Sequence, residues 1–215
     1  MTQYAYLHGF ASSARSNKGL KIAAAFREKG CDFHLPDLNC PSFEELTITA
    51  ALAEVDRLVA EHSEDDERWC LIGSSMGGWI TSLWAAENPE RIDRVVLLCP
   101  GFKLLERWPD LLGEDNYTSW RERGTFDFPD GAGVVRPMHY GFIEDAERFD
   151  FTPTPVSDVL LIHGVDDETV PIETSREWAR VHSERVDLVE VRDGHRLSES
   201  VDEIIQRAMT FFGVE

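Results

Sequence analysis

Short, continuous apolar runs alternate along most of the chain with longer segments in which apolar residues recur every three or four positions. Continuous apolar runs are typical of strands buried on both faces, and the longer spacing is typical of amphipathic helices. The pattern therefore predicts an α/β fold with a mostly parallel sheet of about six strands and helices on both faces. The six runs lie at residues 4–7, 31–35, 69–72, 95–99, 159–163 and 187–191, and two of them, 31–35 and 187–191, also contain charged residues.

The helical segments between the runs have recognisable boundaries. Ile48, Leu52 and Val55 begin one such periodic segment, and Ser42 is its candidate N-cap. The other predicted helices begin near residues 18, 77, 172 and 198.

The alternation of strands and helices fails at residues 101–152, where aromatic side chains are mixed with charges and glycines. A long insertion after the end of a strand is a suitable place for a lid over an active site. The alternative is a helical cap that only packs on the core. We expect one domain, residues 1–215, with 101–152 as the lid or cap. Its candidate pocket residues are Trp108, Trp120, Phe126, His139, Tyr140 and Phe142.

Composition and charge limit the kinds of binding partner that are expected for this protein. An apolar content of 42% indicates a folded globular protein, and the formal net charge is −19. Such an acidic surface repels phosphate backbones and anionic lipids, so neither nucleic acid nor a membrane is expected as a partner. The four cysteines form no C-x-x-C pair, and no histidine pattern suits zinc. We expect no metal and a reducing cytoplasmic location, while the oligomeric state stays open.

The apolar run at 69–72 stops at Gly73-Ser74-Ser75-Met76-Gly77, and a helical pattern follows. A strand that turns sharply into a helix leaves no room for side chains beside the residue at the apex. Glycines two positions before and after Ser75 fit this requirement. The alternative is an ordinary glycine-rich turn, so the pattern needs partners elsewhere in the chain.

Those partners follow other predicted strands. Ligands bind at the carboxyl ends of the strands in an open parallel sheet. Asp167 follows the fifth run and His195 follows the sixth. A serine nucleophile needs an imidazole base, and the imidazole needs a carboxylate on its other nitrogen. Asp166 and Glu168 compete with Asp167 for that role.

The backbone N–H groups of Phe10 and Met76 are the candidate oxyanion donors, because Phe10 follows His-Gly at the first strand's end and Met76 begins a helix. His8 and His163 are expected to brace backbone rather than to transfer protons.

These motifs together resemble the α/β-hydrolase superfamily over nearly the whole chain. They are His8-Gly9-Phe10, Gly73-x-Ser75-x-Gly77-Gly78, His163-Gly-x-x-Asp167-x-x-Val-Pro171 and Gly194-His195. The segments at 6–18 and 73–79 are further similar to small bacterial YqiA-like esterases. The acid loop differs from that group and looks more like the general hydrolase or serine-peptidase version.

The predicted function is a serine hydrolase with Ser75, Asp167 and His195 as its catalytic triad. It would cleave a carboxylic ester or thioester of a small to medium acyl compound and need no cofactor. An amide or peptide hydrolase uses the same triad, so this alternative stays open. A non-catalytic binding protein on the same fold is the alternative from another class. The acyl and leaving groups are not predicted.

Overall fold

A six-stranded parallel sheet forms the centre of the computed structural model, which describes residues 2–63 and 67–215. The strands are β1 (Gln3–Leu7), β2 (Phe33–His34), β3 (Trp69–Ser74), β4 (Ile92–Leu98), β5 (Thr125–Pro129), β6 (Val135–His139), β7 (Asp158–Gly164) and β8 (Val186–Val191). The order within the sheet is β2-β1-β3-β4-β7-β8, and β5 pairs with β6 in a separate antiparallel hairpin. The predicted parallel sheet of six strands is confirmed.

Helices cover both faces of the sheet, and each face has its own apolar core. Phe26 of the first helix and Phe212 of the last pack on one face, and Val55, Trp84 and Trp178 belong to the core on the other. Among the described residues, no helix is both long and apolar enough to span a bilayer. The helices are α1 (Asn17–Glu28), α2 (Ile48–His62), α3 (Met76–Glu87), α4 (Trp108–Leu112), α5 (Glu114–Arg123), α6 (Gly141–Ala146), α7 (Ile172–Val181) and α8 (Val201–Phe212).

Two sequence predictions about helix starts are wrong. Thr47, not Ser42, caps α2, because its side chain accepts from the Ala50 amide at 3.0 Å. The Ser42 hydroxyl accepts from the Glu45 amide instead, in the preceding turn. The last helix begins at Val201 rather than at 198, because the Ser200 amide just before it donates a hydrogen bond to the carboxylate of Asp193.

The insertion at 101–152 has secondary structure of its own. A 3₁₀ helix (Leu104–Arg107), α4 and α5 lead into the β5–β6 hairpin, and α6 follows it. Phe126 pairs with Met138 across the hairpin. The carboxyl ends of the parallel strands all lie at one edge of the sheet, and the insertion leaves the sheet from this edge, after β4.

Candidate active site

Ser75 occupies the sharp turn between β3 and α3. Its backbone has φ 55° and ψ −122°, a conformation that a residue with a side chain rarely adopts and that is typical of a nucleophile elbow. A Cβ on Gly73 would lie 2.5 Å from the carbonyl oxygen of Gly77, so a larger residue at position 73 would collide with the backbone of the turn. The turn therefore needs glycine there and holds the Ser75 hydroxyl beyond the end of β3.

His195 bridges Ser75 and Asp167 through its two ring nitrogens. Its Nε2 lies 2.9 Å from the Ser75 Oγ, and its Nδ1 lies 2.7 Å from Asp167 Oδ2. A carboxylate on Nδ1 holds the proton there and leaves Nε2 free to accept the serine proton. The alternatives Asp166 and Glu168 are exposed, whereas the Asp167 side chain has no exposed area. The structure thus brings together the three residues that the sequence predicts for a triad.

Both carboxylate oxygens of Asp167 have hydrogen-bond partners. Its Oδ1 accepts from the amides of Thr169 at 2.9 Å and Val170 at 2.8 Å. Burial by itself would raise the pKa of Asp167, but hydrogen bonds from His163, His195 and the Val170 amide together hold this pKa well below its ordinary value. Asp167 is therefore ionised at neutral pH, as an orienting acid must be.

Asp193 fixes the loop that carries His195. Its Oδ1 accepts from the Gly194 amide at 2.8 Å, and its Oδ2 accepts from the amides of Glu199 and Ser200, both at 2.9 Å. The sequence-based predictions did not include this role. The available signal was an acidic residue two positions before the histidine, followed by serines.

The loop after β1 lies directly against the serine turn. A Cβ on Gly9 would be 2.9 Å from the Ser75 Cβ, so only glycine allows this approach. His8 braces the loop: its Nε2 accepts from the Leu38 amide at 2.9 Å, and its Nδ1 donates to the Gly9 carbonyl at 2.9 Å. Phe10 follows Gly9 directly in this loop.

The N–H groups of Phe10 and Met76 have no protein acceptor within the part of the chain that the structure describes. Free donors beside a nucleophile are what an oxyanion hole requires. Their role toward a substrate stays a prediction.

Aromatic residues of the insertion surround the Phe10 ring. Its centroid lies 5.3 Å from that of Trp108, 5.4 Å from that of Phe128 and 5.5 Å from that of Phe142. Trp108, Phe142 and the fully buried Trp120 form an aromatic core, which is the packing role that the sequence left open as an alternative. The insertion is thereby joined to the candidate oxyanion loop.

The other predicted pocket residues are less buried. Phe126 and Tyr140 are half-buried, and His139 is exposed at the end of β6, where its amide donates to the Glu44 carbonyl. Contact of any of the six candidates with a substrate stays a prediction.

One group of potential metal ligands occurs among the described residues, and it overlaps the candidate triad. Cys99 Sγ, a carboxylate oxygen of Asp167 and a ring nitrogen of His195 lie within 4.8 Å of one another. Burial raises the pKa of the Cys99 thiol, whereas metal binding needs the thiolate. Asp167 and His195 already hydrogen-bond to each other. The arrangement therefore fits a hydrogen-bonded triad better than a metal site.

Comparison with known proteins gives a family match over nearly the whole chain. The profile of the Uncharacterised protein family (UPF0227) matches residues 3–213. Two curated relatives are mitochondrial palmitoyl-protein thioesterases named ABHD10. The Mus musculus protein is 31% identical over 61% of this chain, and the Bos taurus protein is 26% identical over 92% of it. The chain spans about half the length of the mouse relative (47%) and 68% of the cattle relative.

Solved structures share the fold at low sequence identity. Est1E from Butyrivibrio proteoclasticus, solved with ferulic acid bound, has a TM-score of 0.81 at 20% identity over 99% of this chain and 88% of its own. Mouse alpha/beta hydrolase domain-containing protein 10 has a TM-score of 0.75 at 20% identity over 98% of this chain and 89% of its own. The predicted resemblance to the α/β-hydrolase superfamily is confirmed.

Proposed function

This chain is a member of the Uncharacterised protein family (UPF0227), and from that membership and its α/β-hydrolase fold we propose that it is a serine hydrolase. Its substrate would be a carboxylic ester or thioester of a small to medium acyl compound. The observation that carries the proposal is the unbroken pair of contacts at His195, 2.9 Å to Ser75 Oγ and 2.7 Å to Asp167 Oδ2.

In the first half of the reaction, Ser75 Oγ attacks the substrate's carbonyl carbon while His195 Nε2 takes the hydroxyl proton. The imidazolium that forms is stabilised by the ionised Asp167 on Nδ1. The tetrahedral intermediate then collapses, the carbon–oxygen or carbon–sulfur bond to the leaving group breaks, and His195 returns the proton to that group. An acyl ester on Ser75 and a free alcohol or thiol result.

In the second half, His195 removes a proton from water, and the resulting hydroxide attacks the acyl ester. Collapse of the second intermediate releases the carboxylic acid and restores the Ser75 hydroxyl. In both halves the N–H groups of Phe10 and Met76 would hold the negative oxygen. Each such donor is worth roughly 10²–10³ in rate.

The comparisons favour ester and thioester substrates over amides. The ABHD10 relatives are named as palmitoyl-protein thioesterases, and Est1E was solved with ferulic acid bound. We extend this acyl chemistry to the present chain, but not the identity of the relatives' substrates.

The decisive test is labelling of the protein with a fluorophosphonate probe, followed by mass spectrometry of the labelled peptide. We expect the label on Ser75 and none on a Ser75→Ala variant. That variant should also lose p-nitrophenyl ester hydrolysis by roughly 10⁴-fold or more. The matched control is Ser74→Ala at the buried neighbouring serine, which should keep both the label and the activity. Unchanged turnover by Ser75→Ala would overturn the proposal.

A substrate panel with one acyl group separates the remaining alternatives. The same butyryl group would be offered as an oxygen ester, a thioester and an anilide. Faster hydrolysis of the first two is expected, and preference for the anilide would identify an amide hydrolase. No turnover and no fluorophosphonate label would favour a binding protein, although the Ser75–His195 contact supports catalysis.

A further inference from the structure

Asp167 faces a second histidine besides His195. The Nε2 of His163 lies 3.2 Å from Asp167 Oδ2, the oxygen that also contacts His195 Nδ1 at 2.7 Å. His163 is in β7, one residue before the strand ends, and both its side chain and that of Asp167 have no exposed area. A buried carboxylate oxygen is therefore shared between two imidazole rings.

The neighbours of His163 determine which of its ring nitrogens carries a proton. Its Nε2 is 2.9 Å from the Val170 carbonyl oxygen as well as 3.2 Å from Asp167, and both of these oxygens only accept hydrogen bonds. Nε2 must therefore carry the proton. Its Nδ1 lies 2.8 Å from the hydroxyl of the buried Ser175, which can donate to it. A neutral ring thus satisfies every partner and donates toward Asp167.

We propose that His163 is a positioning residue for the reaction: it donates to the Asp167 oxygen that orients His195 and limits how strongly that oxygen attracts the His195 proton. This inference rests on the proposed function. A carboxylate that accepts a further hydrogen bond is a weaker base, so it stabilises the His195 imidazolium less. His163 would therefore weaken the hold of Asp167 on the His195 proton.

Other charged or titratable groups also act on this pair. The Cys99 thiol at the end of β4 lies within 4.8 Å of Asp167 and His195. Lys18 on α1 interacts electrostatically with Asp167, and Glu190 on β8 with His163. All of these groups remain in place when only position 163 is changed, so a difference between variants at this position reports on the His163 donor.

Two amide substitutions separate the donor role from simple packing. His163→Gln can place an amide nitrogen near the position of Nε2, within reach of Asp167. His163→Asn can place its amide only near the position of Nδ1, next to Ser175. We expect His163→Gln to keep the wild-type pH profile of kcat/KM. In His163→Asn the acid limb should move up by about 0.5–1 pH unit.

An NMR titration of the His195 ring provides a readout independent of turnover. The His195 pKa should rise in His163→Asn and stay near the wild-type value in His163→Gln. Equal pKa values in the wild type and both variants would overturn the inference, as would equal shifts in the two variants. Ester hydrolysis and fluorophosphonate labelling of the wild type are measured first. Their absence would overturn the proposed function, and the NMR comparison would still decide the role of His163.

Discussion

Gly77 lies directly against the end of β1, so a methyl group on it would be 2.5 Å from the His8 carbonyl oxygen and closer still to that of Leu7. The second residue of α3 is thereby pressed against the strand that leads into the Phe10 loop. One close backbone contact therefore joins the two parts of the candidate oxyanion hole, the start of α3 and the loop after β1.

Gly77→Ala should destabilise the protein strongly, because a backbone carbonyl cannot rotate away as a side chain can. Overpacking usually costs about 1–3 kcal/mol, and we expect this variant to lose at least about 3 kcal/mol in urea unfolding. Gly141→Ala is the matched control, since a methyl group at Gly141 meets open space at the first position of α6. That variant should be as stable as the wild type or slightly more stable. A Gly77→Ala protein of wild-type stability would show that β1 and α3 are not in this contact.

Phe10→Ala should impair the reaction more than binding. The ring of Phe10 is held among Trp108, Phe128 and Phe142, and its loss removes the anchor of the adjacent N–H group. We expect kcat to fall by roughly 10–10²-fold with a smaller change in KM, since a loosely held donor stabilises the oxyanion less.

The control for this variant is Phe126→Ala. The Phe126 ring packs on Trp120 and Phe128 rather than on Phe10. Both variants are assayed below their unfolding temperatures, measured by circular dichroism. Equal losses of kcat in the two would indicate a general effect of the insertion rather than a specific effect on the Phe10 loop.

The sheet and the candidate triad could be predicted from the sequence because they follow from periodicity and topology. Runs such as 95–99 and 159–162 are apolar throughout, as expected for a strand covered on both faces. Once the strands are parallel, their carboxyl ends share an edge, and Ser75, Asp167 and His195 must approach one another there.

The contacts that support the triad could not be predicted in the same way. The contact between His163 and Asp167, and the hydrogen bonds that the His195 loop donates to Asp193, depend on side-chain directions that the sequence pattern does not fix. The hairpin within 101–152 was also missed, because Pro137, Asp130 and the neighbouring glycines obscure any strand alternation. The Ser42 prediction failed because Thr47, five residues later, is also a favoured cap residue and directly adjoins the helix.

Trp108→Phe and Trp120→Phe should differ in stability although both tryptophans are buried in the same aromatic core. The Trp120 Nε1 donates to the Met138 carbonyl at 2.9 Å, whereas the buried Trp108 Nε1 has no acceptor among the described residues. Both substitutions remove similar apolar volume, but only Trp120→Phe breaks a hydrogen bond. We expect it to be the less stable variant by about 1 kcal/mol in urea unfolding. A larger loss for Trp108→Phe would reveal a partner for its indole N–H.

Lys18 is expected to make stability depend on pH in the alkaline range. It lies near the start of α1, and its Nζ donates to the Arg196 carbonyl at 3.0 Å, next to His195. Burial of the ammonium group lowers the pKa of Lys18 from 10.5 to about 8, against the opposing influence of nearby Cys99, Asp193 and Asp167. Between these two values the unfolded chain binds the proton and the folded chain does not. Stability therefore gains a contribution that rises with pH from about 8 to about 10.5.

Lys18→Met should abolish this contribution, because methionine has no proton to release. The free energy of unfolding of the wild type and the variant is measured in urea at pH 7.5, 9 and 10.5, and the two are subtracted at each pH. The difference should shift in favour of the wild type as the pH rises. Lys21→Met, which removes an exposed ammonium group from the same helix, is the control and should follow the wild type. A constant difference between the wild type and Lys18→Met would mean that the folded and unfolded chains bind the Lys18 proton equally well. The cost of burying its charge would then be balanced by the acidic groups around the His195 loop.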